Sequence, residues 1–424
     1  MRLGDMFERV SDSWWPIPTV GAVSAVVLAM VTIGLDKALD PPPSIAFNGT
    51  AVEALQLLST TTSAMLSFIA LVFSVSIVVF TLVSGQYSPR VLRTFLRDRW
   101  SQITLAVFVG TFLLTLIALW AVRSTAVGGD RFVPRLTVTL VFALLATCVG
   151  LFVHFVHHIT QEIRAVTIIG RIHTETVAAL DRRYPDADDA GNPVTWQPSG
   201  EPVHTWYADT TGVIANVRAG PLVELAREHD VVLELVPRVG DFVIEDQPVV
   251  RQYGDADIDG GPIRDALAFD PERSYRNDVP FGIRKLVDVA ERALSPGIND
   301  PTTAIQCLDR IHAILFRLAG RELDVGAHGD DGAVRFVEPV PTWSDYVRLS
   351  CDELRHWGAD SIRVHERLRD MLNQLLTVTE SHRHPPLRRQ LEALAARADT
   401  DLPEAEQASV GAADAPSRAD DARW

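Results

Sequence analysis

Four hydroxyl residues, Thr60, Ser67, Ser74 and Thr81, recur at intervals of seven through an otherwise apolar run, with Ser63 and Ser84 on adjoining rows. Seven residues is nearly two turns, so on a helix the four share one face. In a bilayer such a stripe has two uses. Hydroxyl oxygens partly replace the water around an ion and so line a path. They also let helices approach closely, as small and hydroxyl side chains do at membrane-helix contacts. A second group, His154, His158 and Glu162, is spaced by four with His157 beside it. Two imidazoles and a carboxylate on one face can sense pH or hold a divalent ion, but no fourth ligand with supporting spacing stands nearby, so no metal is assigned. The third group is Asn299, Asp300 and Thr302, within Ala293-Leu294-Ser295-Pro296-Gly297-Ile298-Asn299-Asp300-Pro301-Thr302-Thr303-Ala304. Ser295-Pro296-Gly297 ends one helix, and Asp300 caps the next with Pro301 at its first position. The same polar groups at a helix start can also hold a ligand or a protein partner.

The elements that carry these groups are membrane spans. Four apolar runs, about 17–35, 61–84, 103–122 and 136–156, are each long enough to cross a bilayer as a helix, and none holds an Asp, Glu, Lys or Arg. That disfavours a proton-coupled transporter or a voltage sensor, which keep a charge inside a span. Trp14-Trp15-Pro16 enters the first span as an interfacial aromatic pair, and Pro41-Pro42-Pro43 stops that helix. Thr50-Ala51-Val52-Glu53 has capping-box spacing, so the second helix starts before the membrane and protrudes from it. Arg90, Arg93, Arg97 and Arg99 follow the second span directly. Clustered arginine beside a span stays cytoplasmic, which outweighs the three arginines of 123–135 and places both termini inside, in the plasma membrane. The four arginines also suit anionic lipid or the inner mouth of a path. Acidic residues near the amino terminus spoil a signal peptide, so the first span is read as a retained anchor.

Composition narrows what the chain does. A formal charge of −15 argues against nucleic acid as a partner. Lysine occurs only at Lys37 and Lys285, and Cys148, Cys307 and Cys351 match no zinc or redox spacing. No nucleophile elbow, phosphate-binding glycine loop or close carboxylate pair is visible, which makes an enzyme the least favoured reading, and no cofactor is implied.

Beyond the fourth span the pattern predicts a stalk and loop over 161–200, a small β-module over 201–255, a helical domain over 256–398 and a disordered tail over 399–424. Gly240-Asp241-Phe242-Val243, with Gln247-Pro248-Val249-Val250, looks like one hairpin of a biotinyl or lipoyl-type barrel. No lysine stands at its tip, so no swinging cofactor follows. The fold class expected is a membrane protein with four transmembrane helices and a cytoplasmic α+β region, its β part barrel-like.

The Ala293–Ala304 run, the Ser84-Gly85-Gln86-Tyr87-Ser88-Pro89-Arg90 junction and the Gly240–Val243 hairpin together resemble the bacterial membrane protein family labelled domain of unknown function 2254. The resemblance spans about 16–376. It implies a four-span membrane protein and supplies no substrate, reaction or catalytic residue. The residues then lead to a homo-oligomer passing a small ion, with Thr60, Ser67, Ser74 and Thr81 lining the pore and His154, His158 and Glu162 transmitting from the cytoplasmic domain. The alternative is a membrane-anchored sensor or scaffold that binds through Asn299, Asp300 and Thr302.

Overall fold

The computed structural model describes residues 15–38, 43, 46–86, 98–126, 133–162, 164–184, 196–198, 200–271, 273, 278–330 and 333–401. The chain divides into two units, Met1–Thr167 and Ile168–Trp424. The expected tail and Arg90, Arg93 and Arg97 lie outside the described residues, apart from the first few positions of the tail.

Among the described residues four helices make the first unit: α1 (Pro16–Ala38), α2 (Ala51–Gln86), α3 (Arg99–Ala126) and α4 (Arg135–Glu162). All four are long and apolar enough to cross a bilayer. At 36 residues, α2 is about 54 Å long, against a hydrocarbon core of about 30 Å. Its start is the expected capping box: the Thr50 amide donates to Glu53 Oε2 at 2.9 Å and the Glu53 amide to Thr50 Oγ1 at 3.3 Å. The central helix is α3. Of its apolar window 56% is buried, against 17–22% for the other three, and it packs on all of them. Small residues bring α1 onto it: a Cβ at Gly21 would stand 2.7 Å from Ala106 Cβ, and one at Gly110 3.3 Å from Ala25 Cβ. Trp15, Trp100 and Trp120 are exposed near helix ends, where indole rings favour the membrane interface.

Helix α4 does not run on into the second unit. It stops at Glu162, and α5 (Ala165–Arg183) begins after a turn in which Thr167 Oγ1 donates to Gln161 O at 3.0 Å. Ile168, Ile169, Ile172, Thr176, Ala179 and Leu180 of α5 recur at three and four and are buried, so this helix is core of the second unit.

The second unit continues with β1 (His204–Tyr207), β2 (Gly212–Val217), α6 (Ala219–Glu228), β3 (Val232–Leu235), β4 (Phe242–Val243), β5 (Pro248–Tyr253), α7 (Gly260–Ala266) and β6 (Leu267–Asp270). After these come α8 (Val279–Leu294), α9 (Pro301–Ala319), β7 (Ala327–Asp330), β8 (Ala333–Val337), α10 (Trp343–Trp357), α11 (Ile362–Val378) and α12 (His384–Asp401). The strands form a five-stranded sheet, β1-β5-β3-β8-β7, and a three-stranded sheet, β4-β2-β6. No closed barrel forms among the described residues. The two strands of the expected barrel hairpin part company: β4 pairs with β2, while β5 pairs with β1 and β3. Between them the chain turns through Asp246 at φ 64, a conformation aspartate tolerates better than most residues. The acidic loop after α9 contributes β7, and β8 joins β3 in parallel. Leu222 and Ala226 of α6 and Ile263 of α7 share a core with Leu233, Val250 and Phe336.

Candidate functional site

The hydroxyl stripe faces outward. Thr60, Ser67, Ser74 and Thr81 are exposed, whereas Leu58, Met65, Val72 and Val79, also seven apart, are buried. The two series are offset by two residues, about 200° around a helix, so the hydroxyls lie diametrically opposite the packed face. Packing within one chain therefore does not use them. Thr60 Oγ1 donates to Gln56 O at 2.9 Å, Ser67 Oγ to Ser63 O at 3.2 Å and Thr81 Oγ1 to Ile77 O at 2.9 Å. These three hydroxyls are satisfied by their own helix and keep lone pairs for a neighbour.

At the end where α3 begins and α4 stops, polar groups converge. Asp98 caps α3: Oδ2 accepts from the Ser101 amide at 3.1 Å and from Ser101 Oγ at 2.5 Å. The same oxygen lies 3.0 Å from His158 Nε2, so one carboxylate ties the start of α3 to the last turns of α4. Burial pushes the Asp98 carboxyl up, but the Ser101 bonds and the His158 imidazole hold it below the usual range. His154 stacks on His158 with ring centroids 6.0 Å apart, and Trp100 meets His154 edge-on at 5.6 Å. Glu162 is half-buried one turn further along α4, and Arg99 is exposed. Among the described residues no three His, Cys, Asp or Glu side chains are grouped to hold a metal. The partner of His158 lies 60 residues away within the arginine-rich stretch, where nothing in the spacing points to it.

The third group forms the turn between α8 and α9. The Ile298 and Asn299 amides donate to Ser295 O at 3.0 and 2.9 Å, and Asn299 sits at φ 49. Asp300 Oδ1 accepts from the Thr302 and Thr303 amides, both at 3.1 Å, and Oδ2 from Thr303 Oγ1 at 2.5 Å. Both of its oxygens serve the helix start. Thr302 Oγ1 accepts from Arg363 at 3.5 Å, and the tip from Pro296 to Asn299 is exposed.

The second unit also buries charge. Lys285, one of the two lysines, is 1% exposed, its Nζ 4.6 Å from the centre of the Phe281 ring. Near it Asp278 caps α8 through the Phe281 amide at 2.9 Å and takes both Arg273 Nε and Nη2, at 2.9 and 3.2 Å. Burial raises the Asp278 carboxyl despite that guanidinium. Gly240 closes over the pair at φ 94, where a Cβ would stand 2.6 Å from Asp278 Oδ2. Tyr184 and Tyr346 share a 2.7 Å hydrogen bond, and burial raises both phenols. Burial alone would raise Glu338, but His328 and Arg183, bonded to Oε1 at 2.9 and 2.5 Å, hold it below the ordinary carboxylate value. The one lysine of the second unit, in a chain that almost lacks the residue, was the available signal for this cluster.

Four bilayer-length helices carrying one outward hydroxyl face, followed by an α+β unit, define a multi-span membrane protein with a second folded unit. The chain belongs to the family described as "Predicted membrane protein (DUF2254)", whose model matches residues 11–374. It is similar to the uncharacterized proteins Rv1290c of Mycobacterium tuberculosis and Mb1321c of Mycobacterium bovis. Each is 30% identical over 370 residues, which cover 84% of this chain and 70% of the relative. No solved structure matches the chain.

Proposed function

We propose that the protein is an oligomeric ion channel or channel-like transporter of the plasma membrane, regulated by its soluble unit. The observation that carries this reading is the placement of Thr60, Ser67, Ser74 and Thr81 on the face of α2 opposite its packed side. Copies meeting along that face would enclose a path lined by a hydroxyl about every 10 Å. The arginines at 90, 93, 97 and 99 set both termini in the cytoplasm and flank the inner mouth. His154, His158 and Glu162, on the turns tied to α3 through Asp98, pass movement of the soluble unit to the bundle. The test is ion flux through liposomes holding the full chain, with particle mass measured in nanodiscs. Flux that Ser67→Leu and Ser74→Leu both remove supports the reading; a monomer that passes no ion ends it.

A second reading rests on the exposed tip from Pro296 to Asn299: a membrane-anchored sensor or scaffold that takes a ligand or protein partner beside Asn299, Asp300 and Thr302. It requires that Asn299→Ala abolish capture of that partner at unchanged thermal stability. A fall in stability instead marks the turn as helix capping.

A further inference from the structure

Strand β7 ends the order β1-β5-β3-β8-β7, so among the described residues no strand lies on its outer side. The Glu338 amide donates to Gly326 O at 2.8 Å, and backbone groups alternate in direction along an antiparallel strand. Ala327 and Gly329 therefore turn N–H and C=O away from β8. The register break opposite Gly329 does not change this, because the extra residue, Arg335, belongs to β8. Edge strands are commonly guarded by lysine, proline or a covering loop. Strand β7 contains neither residue, and beside it lies an open cleft of about 550 Å³.

The other wall of the cleft is one flank of α6, where Gly220, Val223, Glu224 and Arg227 recur at three and four. A Cβ at Gly220 would meet nothing within 4 Å, so this flank is bare at its start. Further along it carries one acid and one base. Glu224 Oε1 and Arg227 Nη2 stand 3.7 Å apart with both side chains more than half exposed, a pair that water screens and that is readily exchanged for another.

We propose that this edge pairs with the same edge of a second copy of the chain, about a two-fold axis at His328. The proposal rests on the oligomeric reading above but uses a surface of the second unit, separate from α2. With the two strands antiparallel, Ala327 stands opposite Gly329 of the second copy and Gly329 opposite its Ala327. Every N–H that β8 leaves over then finds a C=O. A two-fold contact must also match itself when reversed. The flank of α6 does so. Packed over the sheet beside β8, it meets its copy antiparallel, which sets Glu224 against the copy's Arg227 and Arg227 against its Glu224. A flank of one sign would repel itself across the axis, so this charge order selects a second copy over an unrelated strand.

The test is oxidative cross-linking of His328→Cys in the full chain, reconstituted in liposomes and read on a non-reducing gel. The native cysteines are buried. Across the axis the two introduced thiols occupy a non-hydrogen-bonded pair, with Cα atoms about 4.5 Å apart and within disulfide reach, so a covalent dimer is expected. Adding Glu224→Arg or Arg227→Glu sets like charges face to face and is expected to cut the yield by about tenfold. The two together, or an equimolar mixture of the two variants, restore opposite charges and are expected to restore the dimer. Should His328→Cys not yield folded protein, Ala327→Cys takes its place, joined by a bismaleimide about 8 Å long, since its mate lies about 7–8 Å away on the diagonal. Absence of cross-linking in particles that are oligomeric by mass and conduct ions overturns this proposal alone and leaves the channel reading standing. A cross-link that ignores the charge variants overturns it as well. A covalent dimer that follows the charges in protein that passes no ion supports the edge pairing and removes the channel.

Discussion

Replacing Gly282 by alanine sets two effects of opposite sign against each other. Within α8, alanine is intrinsically favoured over glycine by about 0.8–1.0 kcal/mol. A Cβ at 282, however, would overlap Thr176 of α5, standing 2.7 Å from its Cγ2 and 2.8 Å from its Cβ. Rotation about χ1 moves Oγ1 and Cγ2 aside but leaves Cβ in place, so the two helices must separate. Thr176 is 1% exposed and its Oγ1 donates to Ile172 O at 2.6 Å, so the crossing has little slack. Overpacking of this kind costs about 1–3 kcal/mol, which leaves a net loss of about 1 kcal/mol, up to about 2. In a domain of this size the melting temperature falls by about 2–4 °C per kcal/mol. In a Thr176→Ala background the two nearest atoms are gone and only the 2.8 Å Cβ contact remains, so Gly282→Ala costs less there than in the wild type, a coupling of about 1 kcal/mol. Thermal unfolding of the full chain in detergent reads all four variants of the cycle. A Gly282→Ala protein that melts higher than the wild type, or a change equal in both backgrounds, would refute the crossing as the reason for this glycine.

The other predictions concern separate parts of the chain. Gly21→Leu drives a side chain into Ala106 and is expected to separate α1 from α3, seen as cleavage of α1 at protease levels that spare the wild type. Burial, with Arg310, Arg367 and Arg369 respectively nearby, holds His173, His312 and His365 below the ordinary imidazole value. Below about pH 6.5 the unfolded chain then binds more protons than the folded one, so stability falls as the pH drops. The melting temperature is expected to decline from pH 7.5 to 5.5, and His365→Leu to flatten that slope. Asp300→Ala removes the cap of α9 and is expected to cost about 0.5–2 kcal/mol. At φ 49, Asn299→Gly is expected to be tolerated and Asn299→Val to destabilise by about 1–2 kcal/mol, both read by the same melting assay.

The spans were legible because twenty apolar residues without a charge have one common use, and the start of α2 because a capping box is written in adjacent residues. The end of α8 at Ser295 and the cap of α9 at Asp300 were legible for the same local reason. Which span lies at the centre was not. Apolar residues surround α3 on every side, and only the small residues Gly21, Ala106 and Gly110 mark the crossing that buries it. Nor did alternation along residues 232–253 disclose that neighbouring strands enter different sheets, because that choice depends on β8, about a hundred residues further on. For the candidate site, the stripe was readable as a period but not as an orientation. Its outward direction follows from the opposite series, Leu58 to Val79, finding partners on the other helices.

Asp36, near the end of α1, accepts from the Leu136 amide at 2.7 Å and from the Thr137 amide and Oγ1 at 3.0 and 2.7 Å. A carboxylate made early in synthesis is thus completed by the opening residues of α4, 100 positions later. While α2 and α3 are being threaded, Asp36 has only water to satisfy it, which keeps its end of the first helix at the bilayer surface and opposes sliding of that helix through the membrane. The arrival of α4 supplies both the missing donors and the helix start that favours a negative charge. The bond therefore closes a loop of 100 residues, and it can form only once α4 has been made.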